Sequence, residues 1–153
     1  MKKKIFTLVL LSIISFSLAS CSIGHIKDTN GDDDFSLCSI DDEKIINTKF
    51  SSYTQTMAIT SQINKTVNYR ARKFSGIYVL KEIYPSSNKL TIKSNITVES
   101  GNLRVVVIQD DRIIKDLPFG ENQTTVIDNP NGEYVVKIVG ESAKFKLKLQ
   151  YIE

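Results

Sequence analysis

The sequence has few of the side chains on which most enzyme active sites and metal centres depend. Its 153 residues include one His, two Cys and no Trp. A single His excludes any mechanism that needs two histidines, and two Cys exclude both a four-cysteine zinc site and a disulfide-rich small domain. The absence of Trp removes the largest aromatic platform for sugars or bases. The sequence therefore predicts no cofactor and no bound metal.

Catalytic arrangements are scarce for the same reason. The single histidine, His25, lies near the N-terminus, so a Ser-His-Asp or Cys-His arrangement cannot form in the rest of the chain. Two acidic pairs could in principle do acid–base work, Asp110 with Asp111 and Asp116 with Glu121. Both pairs fall at turn signals, where solvated turn residues are expected. We therefore expect a protein that is not an enzyme, and a carboxylate-based hydrolase is the alternative left open.

The first twenty residues have the three parts of a secretory signal. Lys2, Lys3 and Lys4 form a basic head, residues 5–16 are almost purely apolar, and small residues precede Cys21. The apolar stretch runs for about 15 residues, whereas a membrane-spanning helix needs about 20. We expect a signal peptide over residues 1–20, and a spanning anchor is the alternative.

The end of this signal, Leu18-Ala19-Ser20-Cys21, resembles the lipobox of bacterial lipoproteins. The resemblance implies that the chain is cut between Ser20 and Cys21 and that the Cys21 thiol carries diacylglycerol. Two acyl chains anchor a protein stably, whereas one gives only marginal membrane binding. The alternative is a plain secretory signal in which Cys21 lies by chance. The expected location is the cell envelope, lipid-anchored on the extracytoplasmic side, with plasma or outer membrane left open.

Removal of the signal changes the charge balance. Loss of Lys2, Lys3 and Lys4 reduces the 20 basic residues to 17, which equals the 17 acidic residues, so no partnership with nucleic acid is expected. Residues 22–43 hold seven acids and one base, and residues 44–153 hold 16 bases and ten acids. We expect a flexible acidic tether over 21–43 and a basic domain over 44–153. The positive charge of the domain favours binding to anionic polymers or lipid headgroups. The alternative is that the charge only keeps the protein soluble.

Two features of the predicted tether suggest a functional site, but neither is complete. Asp28-Thr29-Asn30-Gly31-Asp32 resembles the opening of dockerin-type calcium loops, whose oxygen ligands suit a hard cation. The twelfth position is Ser39, where that loop needs a bidentate acid, so a solvated linker is expected. Cys38 has no internal disulfide partner once Cys21 is lipidated, and we expect a thiol that is inert or occasionally forms a dimer.

Short alternating runs separated by turn residues predict an all-β domain over 44–153. The expected architecture is an antiparallel β-sandwich, jelly-roll-like, with about eight to ten strands. In residues 143–151, apolar or aromatic side chains alternate with Lys and Gln, as in a strand with one solvated face. Residues 103–108 become apolar on both faces, which suits a central strand.

Turns and a short helix complete this expectation. Gly- or Asn-containing turns are predicted at 100–102, 128–132 and 140–142, and a tight turn at Asp110-Asp111. A helical turn is predicted over 41–49.

The run Gly132-Glu133-Tyr134-Val135-Val136-Lys137-Ile138 resembles a strand near the end of bacterial pre-peptidase C-terminal domains, which are small exported β-sandwiches. The resemblance extends over residues 89–153. It implies a sandwich with an accessory, non-catalytic role and identifies no ligand.

One row of surface charges is a candidate binding site. Lys144, Lys146 and Lys148 share one strand face with a spacing of about 6.8 Å, which suits a polyanion. The alternative is that these lysines discourage edge-to-edge aggregation. We expect a non-catalytic binding or scaffolding domain whose partner is an envelope polymer or a protein. The alternative function is a small-ligand or carbohydrate-binding accessory module for a transporter or hydrolase.

Overall fold

The computed structural model describes residues 38–47 and 49–153. The predicted signal peptide, the predicted cleavage between Ser20 and Cys21, the predicted lipidation of Cys21 and the calcium-like loop all fall outside the described residues. The described residues all belong to one compact unit.

The described chain contains one short helix and seven strands, and every strand pairing is antiparallel. These elements are α1 (Asp42–Ile46), β1 (Ser52–Thr56), β2 (Ile59–Ile63), β3 (Thr66–Ile83), β4 (Lys89–Gln109), β5 (Arg112–Asp116), β6 (Gly120–Asp128) and β7 (Tyr134–Ile152). The predicted helical turn and the turn at Asp110-Asp111 are confirmed, since both aspartates have positive φ between β4 and β5.

Three long strands form the middle of one open sheet. β7 lies at the centre with β3 on one side and β4 on the other. Each outer row consists of two short strands: β1 and β2 both pair with β3, while β5 and β6 both pair with β4. The sheet is therefore five rows wide, and the all-β antiparallel prediction is confirmed.

The strand pairing is irregular or broken at one level across all five rows, and we call this level the fold line. The β3–β7 register shifts between Ala71 and Gly76, and the β4–β7 register shifts between Val98 and Asn102. The outer rows break at the same level, between β1 and β2 and between β5 and β6. Extra residues at such bulges bend a strand and increase its twist. The fold line therefore divides the sheet into two halves.

Half-sheet A contains β2, β6 and residues 66–71, 89–98 and 143–152 of the long strands. Half-sheet B contains β1, β5 and residues 74–83, 102–109 and 134–140.

The main core takes residues from both halves. Twenty buried residues form one cluster, which includes Leu90 and Leu149 of half-sheet A and Leu80 and Val136 of half-sheet B. No other element in the described ranges is available to cover so large an apolar surface. The two half-sheets therefore cover one another, and the predicted β-sandwich is confirmed as one sheet bent back on itself.

Two of the predicted turns are wrong. Residues 100–102 lie inside β4 and residues 140–142 lie inside β7, where they form the fold line. A Cβ on Gly101 would lie against the backbone of Ser142, so the two strands approach closely here. A glycine with positive φ suits a hairpin turn and a bulge equally well. Counting these bends as turns inflated the expected number of strands.

The outer face of half-sheet B is covered by residues 38–47, which we call the strap. Cys38 and Ile45 are buried in a second apolar cluster with Ile77 and Val139. The Cys38 thiol donates to the Val139 carbonyl oxygen at 3.6 Å, and burial raises the pKa of this thiol to about 11. Residues 38–43, which the sequence analysis assigned to a flexible tether, are thus packed against the sheet.

The buried side chain of Lys137 holds the strap against the sheet through hydrogen bonds. The Lys137 ammonium donates to the carbonyl oxygens of Ile45 at 2.9 Å, Phe50 at 3.1 Å and Asn47. Burial lowers the pKa of Lys137. Three carbonyls match the three donors of an ammonium group, so this buried charge is fully hydrogen-bonded. Arg104 also holds the strap, because its guanidinium forms ion pairs with Asp42 at 2.8 Å and with Asp116 of β5 at 3.0 Å.

Candidate functional site

The outer face of half-sheet A carries the predicted lysine row, and no other element among residues 38–47 and 49–153 covers it. Strand register places Lys148 directly between Asn68 of β3 and Asn95 of β4. In an antiparallel sheet, side chains of directly paired residues point to the same side. The three side chains therefore form one cross-strand row, with an ammonium group flanked by two amides.

Further cations extend this row diagonally across the sheet. Arg70 of β3 is opposite Lys146, and Lys93 of β4 is opposite Gln150. Paired Cα atoms lie about 4.5–5.5 Å apart, and successive residues on one face about 6.8 Å. Arg70, Lys146, Lys148 and Lys93 thus form a stepped line of positive charge over three strands. We call the surface formed by these residues, Lys144, Asn68 and Asn95 the basic face.

Glu99 neutralises part of this surface. Its carboxylate contacts the Lys144 ammonium at 2.6 Å and the Lys146 ammonium at 3.2 Å. Hydrogen bonds from Lys144 and Lys146 hold the pKa of Glu99 at about 2, well below its ordinary value of 4.5. Two of the three lysines predicted to bind a polyanion therefore share one counter-ion. Among the described residues, Lys148 makes no ion pair with a carboxylate.

Two grooves meet at Lys148 and Asn95. The first groove has a volume of about 310 Å³, and the second about 260 Å³. The first lies towards β2, where Ile59 and Ser61 form part of its wall. The second lies towards β6 and is lined by polar side chains only: Lys93, Asn95, Asn122, Gln123, Thr124, Lys148 and Gln150. Because the grooves share two residues, a ligand at Lys148 can contact both.

One hydrogen bond orients an amide in the second groove. The Asn122 backbone N–H donates to Asn95 Oδ1 at 2.7 Å. The Asn95 carbonyl oxygen is thereby used within the protein, which leaves its NH₂ group to donate. Asn95 Nδ2, the Lys93 ammonium and the Lys148 ammonium are all donors, so this end of the basic face suits an anion.

Sequence reasoning found part of this site and missed the rest. The lysines of β7 were identified from alternation along a single strand. Arg70, Lys93 and Asn95 were missed because alternation does not show which strands are neighbours. The only signal for them was a polar residue at every second position of residues 66–70 and 91–97.

Three acidic candidates from the sequence lie away from the basic face. Asp110 and Asp111 form the β4–β5 turn, and Asp116 pairs with Arg104.

Residues 38–47 and 49–153 contain no group of three or more His, Cys, Asp or Glu placed to hold a metal ion. No helix in the described part of the chain is long and apolar enough to cross a membrane. No protein-family model, curated protein or solved structure matches this chain.

Proposed function

We propose that this protein is a lipid-anchored extracytoplasmic binding module, without catalytic activity, whose basic face holds an anionic component of the cell envelope. The observation that carries the proposal is the stepped line of Arg70, Lys146, Lys148 and Lys93 on a sheet face that no other described element covers. An array of cations with adjacent amide donors attracts a repeating anion by releasing its counter-ions.

The local charge balance supports this role. Five cations lie on the basic face, and within the described ranges Glu99 is the acid that pairs with them. The flanking amides of Asn68 and Asn95 add hydrogen bonds that a bare charge patch lacks. A surface of this kind favours oxygen-rich anions such as phosphate, sulfate or carboxylate groups.

The anchor rests on the lipobox-like Leu18-Ala19-Ser20-Cys21. Diacylglyceryl transfer to Cys21 would hold the sandwich at the outer surface of a membrane, with acidic residues between the anchor and the domain. Metabolic labelling with palmitate tests this step. We expect label on the wild-type chain and none on Cys21→Ala, and label that persists in Cys21→Ala would contradict the anchor.

Binding is tested with residues 22–153, which include the whole packed domain without the lipid. Dextran sulfate serves as the polyanion, and affinity is measured over a series of salt concentrations. We expect affinity to fall steeply with salt, and Lys93→Ala/Lys148→Ala to weaken binding and flatten that dependence. The matched control is Lys44→Ala/Lys115→Ala, which removes the same charge from exposed positions away from the basic face.

Two results would reject this proposal. One is the absence of dextran sulfate binding at low salt. The other is equal weakening by the two double variants, which would show attraction to net charge instead of to the basic face. Either result would direct the search to a protein partner, to be captured by cross-linking the lipidated protein in cells.

The second groove favours a further candidate, a carbohydrate-binding accessory module for a transporter or hydrolase. Its lining of four amides, one hydroxyl and two lysines is suited to sugar hydroxyl groups, and about 260 Å³ can hold a small saccharide. Thermal denaturation with neutral and anionic sugars tests this role. We expect stabilisation that is lost in Asn95→Ala and kept in Asn102→Ala, and a flat response across the sugars would reject it.

A further inference from the structure

Two isoleucines project outward beside the basic face. Register places Ile59 opposite Arg70 and Ile63 opposite Thr66, so their side chains share the outer side of half-sheet A. Each is 68% exposed. On this edge strand the usual pattern is inverted, because Thr60 and Gln62 point to the core side while the isoleucines face solvent. Burial in the core therefore does not explain these isoleucines.

The opposite end of the same face also carries apolar side chains. Val126 of β6 and Ile152 of β7 both pair with Thr91 of β4, which places all three on the outer side. Val126 is 39% exposed and Ile152 is 44% exposed. Apolar residues thus lie on two sides of the cations. We call Ile59, Ile63, Val126 and Ile152 the apolar rim.

The two outer faces of the sandwich differ in charge. The strap, which covers half-sheet B, carries three exposed acids, Asp41, Asp42 and Glu43, and one exposed base, Lys44. The basic face and its apolar rim cover half-sheet A. An anionic surface would therefore repel the strap side and attract the basic face, which orients the domain.

We infer that the basic face and the apolar rim dock on the surface of an anionic lipid bilayer. This inference rests on the proposed function, because it names the anionic component that the basic face holds. Lysine and arginine attract anionic headgroups. The free energy falls when exposed isoleucine side chains enter the boundary between headgroups and acyl chains. A hydrated soluble polymer satisfies the cations but gives the isoleucines no apolar environment.

The predicted anchor makes even a weak docking contact effective. A lipid on Cys21 turns docking into an intramolecular event, with an effective concentration in the range of about millimolar. The 17 residues from Cys21 to Cys38 can extend up to about 58 Å, and packed sheets lie only about 10 Å apart. The chain can therefore reach from the bilayer to the strap while the opposite face is docked.

Co-sedimentation of residues 22–153 with vesicles tests the inference without the lipid anchor. One vesicle preparation contains phosphatidylcholine alone, and the other contains equal amounts of phosphatidylcholine and phosphatidylglycerol. We expect binding to the anionic vesicles only. Lys93→Ala/Lys148→Ala should weaken it by about fivefold for each lysine removed.

The decisive variant is Ile59→Ser/Ile63→Ser, compared with Tyr84→Ser. Tyr84 is 63% exposed and lies at the end of β3 in half-sheet B, so its replacement removes a similar exposed side chain elsewhere. We expect the double variant to lose about tenfold in vesicle affinity. Its affinity for dextran sulfate should not change, and Tyr84→Ser should match the wild type in both assays. Unchanged melting temperatures confirm that the variants are folded.

Three other outcomes would contradict the inference, each in a different way. Vesicle affinity that does not change in Ile59→Ser/Ile63→Ser would overturn membrane docking and leave a soluble anionic polymer as the ligand. A dimer that dissociates in this variant, seen by sedimentation, would also overturn it and assign the isoleucines to a contact between copies. No binding to vesicles or dextran sulfate would reject the proposed function as well.

Discussion

The Lys137 ammonium lies 2.9 Å from the carbonyl oxygen of Ile45, and this hydrogen bond joins the central strand to the strap. Lys137 is completely buried although it carries a charge. Buried charges are tolerated when they are fully hydrogen-bonded, and the carbonyls of Ile45, Asn47 and Phe50 meet this condition. The contact explains why a strand of apolar residues contains a lysine in its middle.

Replacement of this lysine should destabilise the domain. Lys137→Met keeps most of the volume of the side chain but leaves three carbonyl oxygens without a donor. We expect the free energy of unfolding to fall by about 2–4 kcal/mol in urea denaturation. The control is Lys115→Met on exposed β5, with an expected change within about 0.5 kcal/mol. A similarly small change in Lys137→Met would show that the strap is held mainly by Cys38 and Ile45.

The same contact should control the reactivity of Cys38. In residues 22–153 this thiol is the only one. Burial, with the nearby Glu141 carboxylate, raises its pKa to about 11, so very little reactive thiolate forms at neutral pH. We expect slow labelling by a thiol reagent in the native protein and faster labelling in Lys137→Met.

Labelling at equal rates in the two proteins would contradict this prediction, because it would mean that the strap does not open more often without Lys137. Full labelling after unfolding in urea serves as the control for thiol integrity.

Substitutions at two glycines should distinguish the stability cost of steric overlap at the fold line from the cost of backbone strain alone. Gly76 has φ +114°, and a Cβ there would overlap the Ser52 carbonyl oxygen and lie 2.7 Å from Tyr53 Cα. Gly132 has φ +77°, and nothing lies within 4 Å of its Cβ position. We expect Gly132→Ala to cost about 1 kcal/mol of stability and Gly76→Ala at least about 3 kcal/mol.

Thermal and urea denaturation of both glycine variants provide the measurement. Equal losses in the two proteins would show that φ alone sets the cost and that β1 can move away from β3.

Glu99 should titrate at unusually low pH. Its pKa is about 2 in the folded protein and 4.5 ordinarily, so its ion pairs are fully present above pH 4.5 and are lost as the pH falls towards 2. We expect an NMR titration of the Glu99 side chain to show this low midpoint. In Lys144→Ala/Lys146→Ala the midpoint should rise towards 4.5, and a midpoint that stays near 2 would contradict the assigned cause.

Removal of the Glu99 charge should strengthen polyanion binding. Glu99→Gln releases the ammonium groups of Lys144 and Lys146 for the ligand, and we expect about fivefold tighter binding to dextran sulfate. The control is Glu82→Gln, which removes an exposed carboxylate from half-sheet B. Equal gains in the two variants would indicate a response to net charge alone.

Much of the fold could be predicted from local patterns. Strict alternation in residues 143–151 identified one half of β7, and the apolar run at 103–108 identified the C-terminal part of β4. The bends at Gly101 and Gly140 could not be distinguished from hairpin turns. A glycine permits both, and the choice depends on which strand lies alongside.

The strap shows a second limit of sequence reasoning. Residues 38–43 are acidic and show little periodicity, which is typical of a linker. Their docking depends on partners that lie far away along the chain, at Arg104, Lys137 and Val139. A lysine between Val136 and Ile138 gives no sign of which carbonyls will accept its hydrogen bonds.

The sequence by itself determined the all-β class, the turn at Asp110-Asp111 and the lysines of β7, because these depend on periodicity and turn chemistry over a few residues. Only the tertiary structure decided that one sheet bends back on itself, that the strap covers half-sheet B, and that Arg70, Lys93 and Asn95 join Lys148 on one face. The physical reason is that strand register brings together residues that are distant in the chain. That register is set by the packing of the whole core, which no local pattern records.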